Sequence, residues 1–470
     1  MLKILTLLLT STMTIMAGAA ISPALPKIQE HFAEISDADF WVKLLLALPS
    51  LFTAIAGAPV GSLIDRYGRR PFMVGAVLLY GIAGSAGLLL ENLTGLLLSR
   101  AFLGIAVAAI TTISAALIAD YYTGATRAKV LGWQSAAMGL GGVVFVLFGG
   151  FLAEFNWRMP FLIYLVAFIA LPLVWLALPE PVHLKTRSRQ GRPLPPDPLP
   201  RPNPLPTQSA AANWEEPQGS RPTVFNRSGL PRSVPNRATL TRLGLPRSIT
   251  TEVAPADLQP SQESRTTTTP SASFSLTPEP TGLSSSVMAT VYGLTILTMV
   301  MFYMVPVQLP FYLKQLALGS SREAGIAIAI SSVATAIAAV GYGKLNAKLS
   351  FSKVLILLYG LMGAGYGIIA TAHSYGGILA GLVLSGLGVG LVLPNINVWL
   401  NEKTPIARRG KVLGGLTSCI FLGQFCSPIA LQPIVQNFGI QTAYTTASSI
   451  LIVLAIGLAT LTWNRWIELD

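Results

Sequence analysis

Gly61-Ser62-Leu63-Ile64-Asp65-Arg66-Tyr67-Gly68-Arg69-Arg70-Pro71 is a polar stretch between two apolar runs, at about 42–60 and about 72–90. Each run approaches the roughly 20 apolar residues that an α-helix needs to cross a bilayer. Asp65 is then a carboxylate at a membrane boundary, where an unpaired charge is costly, and Arg69 in the same loop can partner it. Gly61 ends a span where helices approach closely, and Gly68 allows a tight turn. Asp120, expected to close the fourth span on the same side, can share that arginine.

The same length test, carried outward, finds six spans at about 4–24, 42–60, 72–90, 95–119, 129–153 and 159–178. Six more fall at about 286–313, 323–343, 353–372, 376–399, 411–435 and 441–464. Composition agrees: 52% of residues are hydrophobic and 11% charged, against roughly 25% charged in a soluble domain, so lipid is the expected solvent. The apolar stretch from Ile4 to Leu25 exceeds the about 7–15-residue core of a secretory signal and runs into Pro23 and Pro26. It reads as an uncleaved first span.

The net charge of +12 raises nucleic acid as a partner, but the basic residues gather in short loops and one long segment, so none is expected. One set of loops holds Arg66, Arg69 and Arg70, then Arg127 and Lys129, then Lys344, Lys348 and Lys353, then Lys403, Arg408, Arg409 and Lys411. The opposite set holds Glu30, Glu34, Asp37 and Asp39 beside Lys27 and Lys43, then Glu91, then Glu154 with Arg158, then Lys314 and Arg322 with Glu323. The positive-inside rule puts the basic loops, both termini and the long segment in the cytoplasm of a multi-pass inner (plasma) membrane protein.

Residues 179–285 differ in kind. They hold 20 of the 33 prolines and 12 of the 32 basic residues, with no apolar period. Such a segment is expected to be a disordered cytoplasmic linker, because it buries too little surface to offset its ordering entropy. It repeats Gly229-Leu230-Pro231-Arg232-Ser233 as Gly244-Leu245-Pro246-Arg247-Ser248, either a docking or anionic-lipid motif or a duplicated solvated tether. The domains are then 1–178, 179–285 and 286–470.

The two apolar halves repeat at an offset of 282 residues: Gly61 and Leu63 match Gly343 and Leu345, Gly104 matches Gly386, Gly141 matches Gly423, and Lys129-Val130-Leu131-Gly132 matches Lys411-Val412-Leu413-Gly414. Duplicated six-span halves are the layout of one large class of secondary transporter. The fold expected is all-α, with twelve membrane helices in two pseudo-symmetric six-helix bundles.

Gly61–Pro71 resembles the signature loop of the major facilitator superfamily, G-x-L-x-D-R-x-G-R-[KR], at every constrained position. The resemblance implies a gate at the inner rim formed by Gly61, Asp65, Arg66, Gly68, Arg69, Arg70 and Asp120, with the aspartate facing a helix N-terminus of the other half near Lys411. The second-half counterpart, Gly343–Lys348, lacks the aspartate, so such a latch is asymmetric. Arg100 and Gly104 resemble the fourth-span R-x-x-x-G of proton-driven exporters. Arg100 either holds an anionic substrate group or tunes proton release, or it reaches out to the interface. The fifth span keeps Gly132, Gly141, Gly149 and Gly150 of the exporter pattern G-x8-G-x3-G-P-x2-G-G but has Phe145-Val146 for its Gly-Pro, so these glycines read as helix-packing positions. Asn156–Phe161 resembles the W-R-x-x-F that follows in exporters.

No acidic residue lies near the middle of an expected span. Proton coupling must then use Asp65, Asp120, Glu402 or an acid such as Asp39. Polar candidates for a central cavity include Gln134, Tyr303, Gln308, Asn395 and Gln424, each also readable as helix packing. A neutral cavity rich in Met and Tyr suits a lipophilic or amphipathic solute better than a sugar phosphate. The three histidines have no metal-ligand spacing, and Cys419 and Cys426 stand two turns apart on one helix, too far to bridge. With no P-loop, nucleophile elbow or paired catalytic carboxylates, neither an enzyme nor a cofactor is expected. The expectation is a monomeric exporter driven by proton antiport, with a small-molecule substrate, membrane lipid and protons as partners. Alternatives are a metabolite or amino-acid carrier, a uniporter, or a scaffold acting through the linker.

Overall fold

The computed structural model describes residues 2–180 and 284–463. The expected linker, its repeat included, lies outside the described residues except for its first and last two positions. Every regular element among the described residues is helical: α1 (Leu2–Ala19), α2 (Leu25–His31), α3 (Ala38–Tyr67), α4 (Arg69–Ser85), α5 (Leu93–Tyr121), α6 (Gly124–Phe155), α7 (Val166–Ala177), α8 (Ser285–Gln315), α9 (Ser321–Asn346), α10 (Phe351–Thr371), α11 (Tyr375–Lys403) and α12 (Ile406–Trp463). Eleven helices are long and apolar enough to cross a membrane. The last of them is broken once, so the described residues hold twelve candidate spans.

Local sequence explains the breaks. A 3-10 turn at Ser22–Ala24 joins α1 to α2 within the first span, between Pro23 and Pro26, which have no amide hydrogen to donate. The sixth span opens as a 3-10 helix, Met159–Leu165, with Pro160 in its first turn. The eleventh and twelfth spans are two helices, as expected, parted within α12 by the single residue Gly439 (φ 86°, ψ 166°), a conformation that L side chains rarely adopt.

Two further expectations are corrected. The signature stretch is mostly helix, since α3 runs on through Tyr67 and α4 begins at Arg69, leaving Gly68 (φ 101°, ψ 159°) as the whole connection. Gly61 thus lies inside α3, and a Cβ there would meet only Thr112 Cγ2, at 3.9 Å. α3 has 30 residues, about 45 Å of helix against a hydrocarbon core of about 30 Å, so its last turns project beyond the lipid. α12 starts at Ile406, five residues before the expected Lys411.

The helices are apolar nearly all round, burying some side chains in a core and leaving others such as Ile55, Leu98 and Ile337 exposed, as lipid-facing helices do. Three buried phenols find carbonyls: the Tyr80 hydroxyl donates to Met13 O at 2.6 Å, Tyr164 to Ala17 O at 2.9 Å and Tyr366 to Met301 O at 2.7 Å. Each ties a third, sixth or ninth span to the first or seventh without leaving a polar atom bare in lipid. α3 packs on α5, α9 on α11, and α10 on both α11 and α12. Two pairs carry the main contact between halves: α3 with α12, and α6 with α9.

Candidate transport site

The seam between α3 and α12 is polar. Asp39 and Lys43, one turn apart at the start of α3, meet Gln432 of α12. The Lys43 ammonium donates to Asp39 Oδ2 at 2.8 Å and to Gln432 Oε1 at 3.1 Å, and Gln432 Nε2 donates to the same Asp39 oxygen at 2.6 Å. The ammonium also lies 5.2 Å from the Phe311 ring centroid, from α8. Lys43 is 1% exposed and Asp39 31%. About two turns further along α3, Ser50 donates to Gln424 Oε1 at 2.9 Å, and Tyr303 of α8 donates to Leu46 O at 2.9 Å.

The seam between α6 and α9 is backbone on backbone. A Cβ at Gly150 would lie 2.8 Å from Ser321 O and 3.0 Å from Gly325 Cα, and one at Gly325 would lie 3.0 Å from Val146 O. Close by, Glu154 Oε1 accepts from the Arg322 amide at 2.8 Å, and Lys27 Nζ donates to Glu154 O at 3.0 Å. Lys314 pairs with Glu30, and Ser22 donates to Pro306 O. These joints all sit at the helix ends away from the signature turn.

At the signature end, glycines of the same four helices face open space: a Cβ added to Gly57 of α3, Gly132 of α6, Gly343 of α9 or Gly414 of α12 would have nothing within 4 Å.

The signature turn is a clamp within the first half. Arg69 forms an ion pair with Asp120, at 13% and 12% exposure. Glu180, just past the sixth span, accepts from the Arg69 and Arg70 amides at 2.6 and 2.8 Å, an anion seated on the N-terminus of α4 where the helix dipole favours it. Its Oε1 would lie 3.0 Å from a Cβ on Gly68, so that glycine is required for both its φ and its neighbour. Arg70 donates to Trp175 O and stacks on the Trp175 ring at 4.7 Å. Arg66 is exposed, and the Asp65 side chain lies outside the described ones.

The cavity candidates sort into three groups. Tyr303 and Gln424 bond across the halves, as above. Gln308 is fully buried with neither amide atom hydrogen-bonded. Gln134 and Asn395 are internal struts: Gln134 donates to Ser11 Oγ at 2.7 Å within the first half, and Asn395 accepts from Tyr342 and donates to Phe351 O, both at 3.2 Å, within the second. Arg100 does not reach the interface. It is fully buried, donates to Ala83 O and Gly84 O at 3.1 and 2.8 Å, and lies 5.1 Å from the Phe161 and Tyr164 ring centroids. It pins spans three, four and six together. Among the packing glycines, Gly104 meets Pro49 O (2.3 Å from a built Cβ), Gly141 meets Thr12 and Gly149 meets Ala20 O, whereas Gly132 faces open space.

Sequence reasoning placed Lys43 with the loop charges and passed over Ser50, Glu180 and Gln432. The available signal for Lys43 was its i,i+4 spacing from Asp39 inside the helix start.

The chain matches the family model of the Major Facilitator Superfamily over residues 7–234 and 291–465. It is similar to the class B tetracycline resistance protein of Escherichia coli, 34% identical over 147 residues, which are 30% of this chain and 35% of that one. It is similar also to multidrug resistance protein 1 of Bacillus subtilis, 32% identical over 179 residues, 38% and 45% of the two chains. Each match thus spans less than half of the curated relative. Among solved structures, the inward-open xylose transporter XylE of E. coli aligns with a TM-score of 0.65 at 16% identity, covering 97% of this chain and 94% of that one. The human organic anion transporter MFSD10 aligns at 0.60 and 18%, covering 97% and 98%; these likenesses concern the fold. The family model covers well over half of the chain, and the protein belongs to the major facilitator superfamily of membrane transporters.

Proposed function

We propose that the protein exports small lipophilic or amphipathic compounds by proton antiport and alternating access, with the signature side facing the cytoplasm. The observation that carries this reading is the asymmetry between the two ends. The cross-half joints gather at one end, and glycines of the same helices face open space at the other. Such a state accepts solute from the basic-loop side, and breaking the joints would release it on the other. The partial likeness to tetracycline and multidrug resistance proteins supports export. The neutral groups along the seam, Ser50, Gln424 and Tyr303, support a lipophilic solute. Gly68, Arg69, Asp120 and Glu180 would hold the gate's shape as the halves rock. Asp39 is the boundary acid that accepts hydrogen bonds from both sides of a seam, so its proton state bears directly on closure.

The test is purified protein in proteoliposomes with an imposed pH gradient and a panel of neutral and charged aromatic compounds. Substrate movement against the proton flux, abolished by a protonophore, is expected. Movement indifferent to the gradient would replace antiport by uniport. Transport of sugars or nucleosides in place of aromatic compounds would replace the exporter reading by that of a metabolite carrier.

A further inference from the structure

Among the described residues, two charged side chains are almost wholly buried, Lys43 and Arg100. Both are cations. Arg100 is enclosed within the first half, its Nη2 donating to the Ala83 and Gly84 carbonyls, its Nη1 buried without a partner and its faces covered by Phe161 and Tyr164. Lys43 is different, because it stands on the face where the halves meet, touched from α3, α12 and α8 at once. Its partner Asp39 is 31% exposed, so water screens the carboxylate while nothing screens the ammonium. The groups deeper along that seam are neutral: Ser50, Gln424 and Tyr303. Every carboxylate of the described chain lies outside a helix or within a turn of a helix end. A cation moving between the halves would meet neutral groups along the seam and, at its closed end, a carboxylate already paired to a buried ammonium.

We propose that the transport path admits uncharged and anionic amphipathic molecules and rejects permanent cations, with Lys43 as the residue that sets this preference. The proposal rests on the exporter reading above and names its substrate class. When the seam opens, Lys43 loses Gln432 and gains room for a substrate carboxylate or phenolate, an ion pair in place of a hydrogen bond to a neutral amide oxygen. A quaternary ammonium offers no such exchange and is repelled.

The experiment is substrate counterflow with the full-length protein in proteoliposomes at equal pH on both sides, so that proton coupling does not enter. Three probes share one coumarin core and carry an amide, a carboxylate or a trimethylammonium group. The amide and carboxylate are expected to exchange, and the trimethylammonium about tenfold more slowly or worse. Lys43→Met leaves the Asp39 carboxylate alone and should shift preference toward the cation. Asp39→Asn leaves the ammonium alone and should shift it toward the carboxylate. A role in packing only would move all three probes the same way in both variants. Should Lys43→Met fail to insert, Gln308→Glu adds a carboxylate without touching the triad and should confer cation exchange. Equal exchange of amide and trimethylammonium by the wild type, or parallel shifts in the two charge variants, overturns the proposal. Exchange of none of the probes overturns the exporter reading and the proposal with it.

Discussion

The α3–α12 seam and the α6–α9 seam are counterparts under the 282-residue repeat, and their chemistries are opposite. Asp39, Lys43 and Gln432 on one correspond to Ser321, Gly325 and Gly150 on the other. One seam is a ring of hydrogen bonds around a buried ammonium, and the other is backbone against backbone with no side chain between. Duplication supplied one geometry, and divergence filled it twice. The glycine crossing is fixed by contact distance, with the Glu154–Arg322 amide bond at its end as its side-chain tie. Its counterpart is held by groups that can trade one partner for another, which is what a joint that opens to solute requires.

Breaking the glycine seam should have the largest effect. Gly150→Val puts a Cβ 2.8 Å from Ser321 O and 3.0 Å from Gly325 Cα. Both are backbone atoms that cannot rotate away, and overpacking of this kind costs about 1–3 kcal/mol, roughly ten- to a hundredfold in the closed-to-open ratio. Transport should fall by that order, and a cysteine placed near Arg322, in a background lacking Cys419 and Cys426, should react faster with a membrane-impermeant maleimide. Gln432→Ala is the matching cut on the polar seam. It removes both cross-half bonds to the charged pair but leaves Lys43 and Asp39 joined on α3. Bonds to charged groups are worth about 1.5–3 kcal/mol, so maleimide reactivity near Asp37 should rise about tenfold or more. Reactivity unchanged in this variant would show that the ring contributes nothing to closure.

Ser50→Ala sharpens the comparison at smaller scale. The Ser50–Gln424 bond is neutral and part-buried, worth about 0.5–1.5 kcal/mol, so KM should move a few-fold with kcat nearly constant. Glu180→Gln, far from both seams, should have the smallest effect. It keeps one of the two bonds to the Arg69 and Arg70 amides, because the glutamine nitrogen cannot accept, and removes the anion from the start of α4, about 0.3–1 kcal/mol at a helix N-terminus beside the lost bond. A small drop in melting temperature is expected, with cysteine reactivity at the two seams unchanged.

Spans, their number and the signature turn were legible in the sequence because lipid imposes length and apolarity on each helix separately. Arg69 and Asp120 could be paired from topology, since both had to lie at the same rim. Arg100 could only be flagged as a charge in an apolar helix. Whether it meets solute, lipid or its own bundle depends on helix rotation, and its spending of donors on the Ala83 and Gly84 carbonyls leaves no trace in its own sequence neighbourhood. The break at Gly439 falls in the expected gap between the spans at about 411–435 and 441–464; what the sequence does not give is that a single residue, at positive φ, makes the whole connection. Lys43 read as a loop charge because a helix start and a loop end share the same composition, and its burial comes from Gln432, 389 residues away.

Gly439 has a mechanical consequence. One residue joins the eleventh and twelfth spans, so there is no slack between Gln432 on one side of it and Gln441 on the other. Gln441 is tied to Ala370 O at 2.9 Å, and Ser448, two turns on, to Gly363 O at 2.7 Å. A pull on the eleventh span would therefore be delivered straight to the ninth, as through a rigid crank.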